Sequence, residues 1–345
     1  MVDYSVVQWQ NRSIIATSDF RGPLIMALPV AAFWFLWQWL SLPGLVAVQA
    51  EFPPLLRFAF DKARYMPDFG LIIAGFAAFH FQRGLKSGWD MVVARDMYLR
   101  LVLPLLAYFL LALVLFESVA LLGPDHHLLF PWSDRLLSPA FWITATMVIA
   151  VVLLPPLLCL TWTSVPDICI AGIAVCFAIY GISFELGFHR YAGLWPVSAI
   201  TDFILGLLIC AALFRGVTFL SAVRGPAIIL GWVVLLGGSI LDGPGLFFLG
   251  FVMILGGMAV GERSWYLIGE KGLLAWSRTA LAFALVQPAV LTAWVIWAPS
   301  HLRPFWLATL IAAAVTQLLA VILYAIVMLP ARRFFAAPPA QAAAR

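Results

Sequence analysis

The chain is divided into ten apolar runs, and their length leaves little choice of fold. A helix needs roughly 20 apolar residues to cross about 30 Å of hydrocarbon at about 1.5 Å per residue. Runs near that length cover residues 23–40, 65–82, 97–123, 138–162, 168–188, 199–214, 226–241, 245–261, 273–298 and 304–330. Lipid offers no hydrogen-bond partner to a peptide group, so such runs must close their backbone bonds internally, as helices. The expected fold is therefore all-α, a polytopic integral membrane bundle of about ten transmembrane helices. A soluble alternative fails on composition: 64% of the residues are hydrophobic, 10% are charged, and no soluble core could hide that much apolar surface. The runs starting at 65, 199, 226 and 245 are short. The glycine-rich pair around Asp242-Gly243-Pro244-Gly245 also fits a re-entrant hairpin.

Orientation follows from the basic residues. Of the 20 Lys and Arg, 14 fall on the side that collects the amino terminus, the connections after the second, fourth, sixth and eighth runs, and the carboxyl terminus. By the positive-inside rule both termini are cytoplasmic, and the expected location is the plasma (inner) membrane, crossed many times. Residues 1–335 read as a single transmembrane bundle and 336–345 as a disordered Ala/Pro-rich tail. The leader containing Arg12, Asp19 and Arg21 is too polar for a cleavable signal, so the first helix is expected to remain as an anchor. Trp34, Trp37, Trp132, Trp195, Trp265, Trp297 and Trp306 stand near run ends, where an aromatic belt would lie. Cys159, Cys169, Cys176 and Cys210 sit inside apolar stretches without metal-ligand spacing and read as packing residues. The bilayer is the expected partner, with other membrane proteins as a further one. The net charge of +4 is spread too thinly for nucleic acid.

An ionisable group inside a bilayer costs at least ~2.5 kcal/mol, so the few present are functional candidates. His80, three residues before Arg83 near the cytoplasmic end of the second run, has the imidazole of a general base. The basic group Arg83, Lys86, Arg95 and Arg100 beside it suits either lipid headgroups or a phosphorylated cytosolic donor. On the other side Glu185 and His189 are spaced i, i+4 on one helix face, and with Asp202 they form an acceptor-side polar cluster. No metal is expected, because no segment has a metalloenzyme ligand pattern. Walker, dinucleotide, nucleophile-elbow and haem-attachment motifs are absent from the sequence.

Several segments, in order, resemble membrane acyltransferase family 3. Phe20-Arg21-Gly22 is similar to the family's Leu-Arg-Gly opening, Ala74-Gly75-Phe76 to its Ser-Gly-Phe element, and Arg95 to Arg100 with Pro104 to its Arg-rich third-helix entry. Phe203-Ile204-Leu205-Gly206 is similar to Phe-Leu-Leu-Gly, and Pro330-Ala331-Arg332-Arg333 to the exit Glu-x-Pro-x-Arg-Arg. In the ninth run, Ser277-Arg278-Thr279 through Leu285-Val286-Gln287-Pro288 resembles Gly-Arg-x-Ser-Tyr-x-x-Tyr-Leu-x-His-Pro, with Arg278, Leu285 and Pro288 in register. The resemblance implies a ten-helix scaffold moving an acyl group from cytosolic acyl-CoA, a co-substrate and not a permanently bound cofactor, onto a glycan or lipid. It implies donor binding by Arg21, Arg83, Lys86, Arg95, Arg100 and Arg278 through charge-assisted hydrogen bonds to phosphate.

The family's first-helix histidine is missing here, where Ala31 and Ala32 stand, and Gln287 replaces the histidine of the ninth helix. A base is worth about 10²- to 10⁴-fold in such a transfer, and glutamine cannot act as one. Two readings follow: an acyltransferase using His80 as its base, or a catalytically inactive relative serving as a structural or binding subunit of a larger membrane complex. A secondary transporter is the third; Pro155-Pro156 and Gly237-Gly238 are helix breaks of the kind it needs, without an evident partner acid at mid-depth.

Overall fold

The computed structural model of the chain describes residues 21–42, 62–82, 102–122, 166–185, 195–214, 224–241, 244–259, 276–297 and 305–335, with a few isolated positions between them. Every regular element among these is helical: α1 (Arg21–Ile25), α2 (Ala27–Leu40), α3 (Met66–Gln82) after a 3₁₀ turn at Ala63–Tyr65, α4 (Leu103–Leu121), α5 (Pro166–Glu185), α6 (Trp195–Phe214), α7 (Arg224–Ile240), α8 (Pro244–Ala259), α9 (Ala280–Trp297) and α10 (Phe305–Phe335). Three stretches, Gly22–Leu40, Ala280–Trp297 and Trp306–Ala331, are long and apolar enough to cross a membrane, and shorter apolar helices accompany them. The protein is an all-α helical membrane protein.

Nine of the ten apolar runs contain one of these helices. Of the run 138–162 only Ile149, Val152 and Leu153 are described, as exposed helical positions, and the tail 336–345 lies outside the described residues. Three boundaries differ from the sequence reading. The sixth helix begins at Trp195. The ninth begins in earnest at Ala280, after a turn at Arg278 and Thr279. The last continues through Pro330 to Phe335, because a proline removes only its own N–H from the ladder and the flanking bonds can carry the helix on.

The chain divides into two compact units. The first comprises residues up to Trp34, Phe58–Gly88 and Pro156–Arg278, and so holds α1, α3, α5, α6, α7 and α8. Its helix pairs approach through glycine. In α7 and α8 the contacts run from Gly238 beside Leu246 and Phe247 to Gly231 beside Gly250 and Ile254, the progression of an antiparallel hairpin. A Cβ on Gly231 would lie 2.8 Å from Ile254 Cγ1 and 2.9 Å from the Gly250 carbonyl oxygen. Rings at the start of α3 and in the turn before it pack on the first half of α8: Tyr65 of the 3₁₀ turn meets Phe247 at 5.2 Å, and Phe69 of α3 meets Phe247 at 5.1 Å and Phe251 at 3.8 Å.

The second unit comprises Phe35–Arg57, Trp89–Pro155 and the chain from Thr279 onward, and so holds α4, α9 and α10. Aromatic packing dominates here. Trp39 is fully buried, meets Trp294 edge-on at 4.7 Å, and donates from Nε1 to Thr309 Oγ1 at 2.9 Å. Phe35 meets Phe283 at 5.8 Å. Trp34 and Trp39 are therefore core residues, whereas Trp297 and Trp306 are exposed as belt residues would be. Cys176 and Cys210 are buried and in no disulfide, as packing cysteines should be.

Candidate functional site

In the first unit, two elements far apart in sequence meet. Gly75 of α3 and Gly206 of α6 lie in one seam, and a Cβ on either would collide with backbone: Gly75 against the carbonyl of Phe203, Gly206 against that of Ile72. Only glycine allows two helices to touch main chain to main chain in this way. The Ala74-Gly75-Phe76 and Phe203 to Gly206 elements are thus two halves of one contact. Asp68 precedes Gly75 by two turns and Asp202 precedes Gly206 by about one, so each carboxylate shares the face of its helix that carries the glycine. Both acids are fully buried, and the Cys176 side chain of α5 is an electrostatic neighbour of Asp202.

One end of this unit gathers the chain ends that carry arginine. Gly22, next to Arg21, packs with a Cβ position 2.8 Å from the Met258 carbonyl oxygen near the end of α8. Ser277 Oγ donates to the Ile25 carbonyl at 3.2 Å, which ties the residue before Arg278 to the helix that Arg21 opens. Arg278 itself is exposed. His80 stands in the last turn of α3, partly buried and engaged within the protein. Arg83, Lys86, Arg95 and Arg100 lie outside the described residues, as does His189; Glu185 is the final residue of α5. Of the expected acceptor-side cluster, the structure describes the side chain of Asp202 alone, a buried helical residue.

The second unit holds the remaining position. Gln287 is fully buried in α9, immediately before Pro288. Nearby polar groups are paired: Gln317 Nε2 donates to Thr279 Oγ1 at 3.1 Å, and Thr316 Oγ1 donates to the Ala312 carbonyl at 2.8 Å. Between α4, α9 and α10 runs a cleft of about 280 Å³, lined by Leu115, Val119, Ala293, Trp294, Ala312 and Val315 among others, all apolar or aromatic.

Asp68 escaped the sequence reading although it is an acid inside the second apolar run, and that placement was the available signal. Its burial depends on tertiary packing, which hydropathy does not encode. Among the described residues no group of three His, Cys, Asp or Glu side chains could hold a metal ion. No protein-family model, curated protein or solved structure matches the chain.

Proposed function

We propose that this protein is a divergent membrane acyltransferase of the inner membrane, moving an acyl group from cytosolic acyl-CoA to a lipid or glycan acceptor. The observation that carries the reading is the meeting of the arginine-bearing ends: Ser277 beside Arg278 binds the α1 backbone, and Gly22 beside Arg21 packs on the end of α8. An anionic donor needs several cations at one membrane face, and at this end the chain segments that carry two of the six in the proposed set come together. His80 is the proposed base, held in the α3 turn that the alternating topology assigns to the same face.

The contacts also support the ten-helix frame. Rings at the start of α3 and in the turn before it meet the first half of α8, which favours a parallel pair and so an odd number of crossings between them. Between them the structure describes α4, α5, α6 and α7, an even number. In the second unit the cleft joins the later turns of α4 to those of α9, again parallel, with α5 to α8 between. Both units therefore favour one more crossing, which the sequence assigns to 138–162. With that crossing both termini lie on one side, which the distribution of Lys and Arg assigns to the cytoplasm.

A second reading, a catalytically silent binding subunit, draws on Gln287, a fully buried amide at the position where the resemblance expects a histidine. The two separate on one assay. Purified protein in proteoliposomes should release free CoA from acyl-CoA, and His80→Ala should reduce that rate by about 10²- to 10⁴-fold. An inert wild type, or a fully active variant, favours the binding subunit.

A further inference from the structure

We propose that the cleft of the second unit is a lipid-tail site, holding one hydrocarbon chain of a membrane-anchored molecule alongside α9 and α10. Its dimensions select the occupant. The lining spans Ala289 to Trp297 on α9 and Ile311 to Leu319 on α10, nine residues on each, which is about eight rises and so roughly 12 Å of helix. A volume of about 280 Å³ over that length leaves a section of roughly 23 Å², that of a single extended hydrocarbon chain. A helix of a partner or of a second copy is about 10 Å across and does not enter. Water is excluded as well, since a cavity without polar partners stays dry.

The surroundings set the direction of entry. Trp297, Ile311 and Val315 line the cleft and are also exposed, 51%, 40% and 41%, so the cleft opens onto the apolar surface that faces lipid. At this same end, one turn from Trp297 and two residues from Ile311, the buried Trp39 meets Trp294 edge-on and donates to Thr309, while the exposed Trp297 stands as a ring at headgroup level would. A chain therefore lies parallel to the helices with its polar end toward Trp297. Attraction between apolar side chains and lipid tails is no stronger than between tails, so retention rests on shape. Resting on the acyl-transfer reading, this site makes the acceptor a lipid-anchored molecule.

The test uses full-length protein in phosphatidylcholine vesicles carrying a trace of phosphatidylcholine with a mid-chain diazirine. After photolysis, label is expected in the peptides containing Ala289 to Trp297 and Ile311 to Leu319, above the level at the equally lipid-facing Ile326. Ala293→Phe, which fills the cleft, should bring that labelling down to the Ile326 level, as should Val315→Trp, a substitution at an exposed position that should leave folding intact. Ile326→Phe should change nothing. Uniform labelling of all exposed helices, or labelling indifferent to both cleft-filling substitutions, would overturn the proposal, as would cross-linking of the cleft to a second copy. Specific labelling in a protein that transfers no acyl group would keep the tail site and remove the enzymatic reading.

Discussion

The two units solve the same problem, holding apolar helices together where lipid competes for every contact, by opposite means. The first uses glycine to bring backbones into touch, at Gly75 with Gly206 and along Gly231, Gly238 and Gly250. The second separates its helices with Trp39, Trp294 and Phe283, and retains a cleft. Closeness fixes geometry, which suits a unit carrying buried acids and the proposed base. Spacing by large rings leaves room for a ligand.

The largest effect should come from breaking the first arrangement. Gly75→Val sets a branched side chain against the Phe203 carbonyl, where no rotamer gives relief, and should yield no folded protein by size-exclusion chromatography. Gly237→Ala is the matched control: it lies in α7 with nothing within 4 Å, and its melting temperature should match the wild type or exceed it. Equal damage from both substitutions would mean that helix contact is not what glycine secures.

In the second unit the corresponding probe is Trp39. Trp39→Ala removes a fully buried ring and should cost about 3–5 kcal/mol in denaturant titration. Trp39→Phe keeps most of the packing and loses the bond to Thr309, so a cost of about 1 kcal/mol is expected. Gln317→Leu should be milder, about 0.6 kcal/mol, because polar pairs between membrane helices contribute little beyond what the unfolded chain finds in lipid. A cycle with Thr279→Val should give a coupling of the same size.

Length and hydropathy made the helices readable, because bilayer thickness dictates run length and nothing else in the chain resembles it. They did not reveal which faces meet. Trp34 reads as a belt residue by its place near a run, yet it is buried, since only tertiary packing separates an interfacial ring from a core ring. The end of α10 was obscured by Pro330, a local breaker that a long membrane helix tolerates. Gly75 and Gly206 were visible as separate motifs, but their meeting is a fact of three dimensions. Asp68 and Asp202 are both fully buried, so the sequence offered these acids without their setting. The apolar cleft left no trace in the sequence, because it is defined by what α4, α9 and α10 fail to fill.

The most direct measurement is acyl transfer itself. Inside-out vesicles containing the protein, given acyl-CoA labelled in its acyl group, should accumulate label in the extracted lipid or lipid-linked fraction; right-side-out vesicles and the His80→Ala protein should not. Label that appears equally with His80→Ala, or no label above protein-free vesicles, would contradict the account.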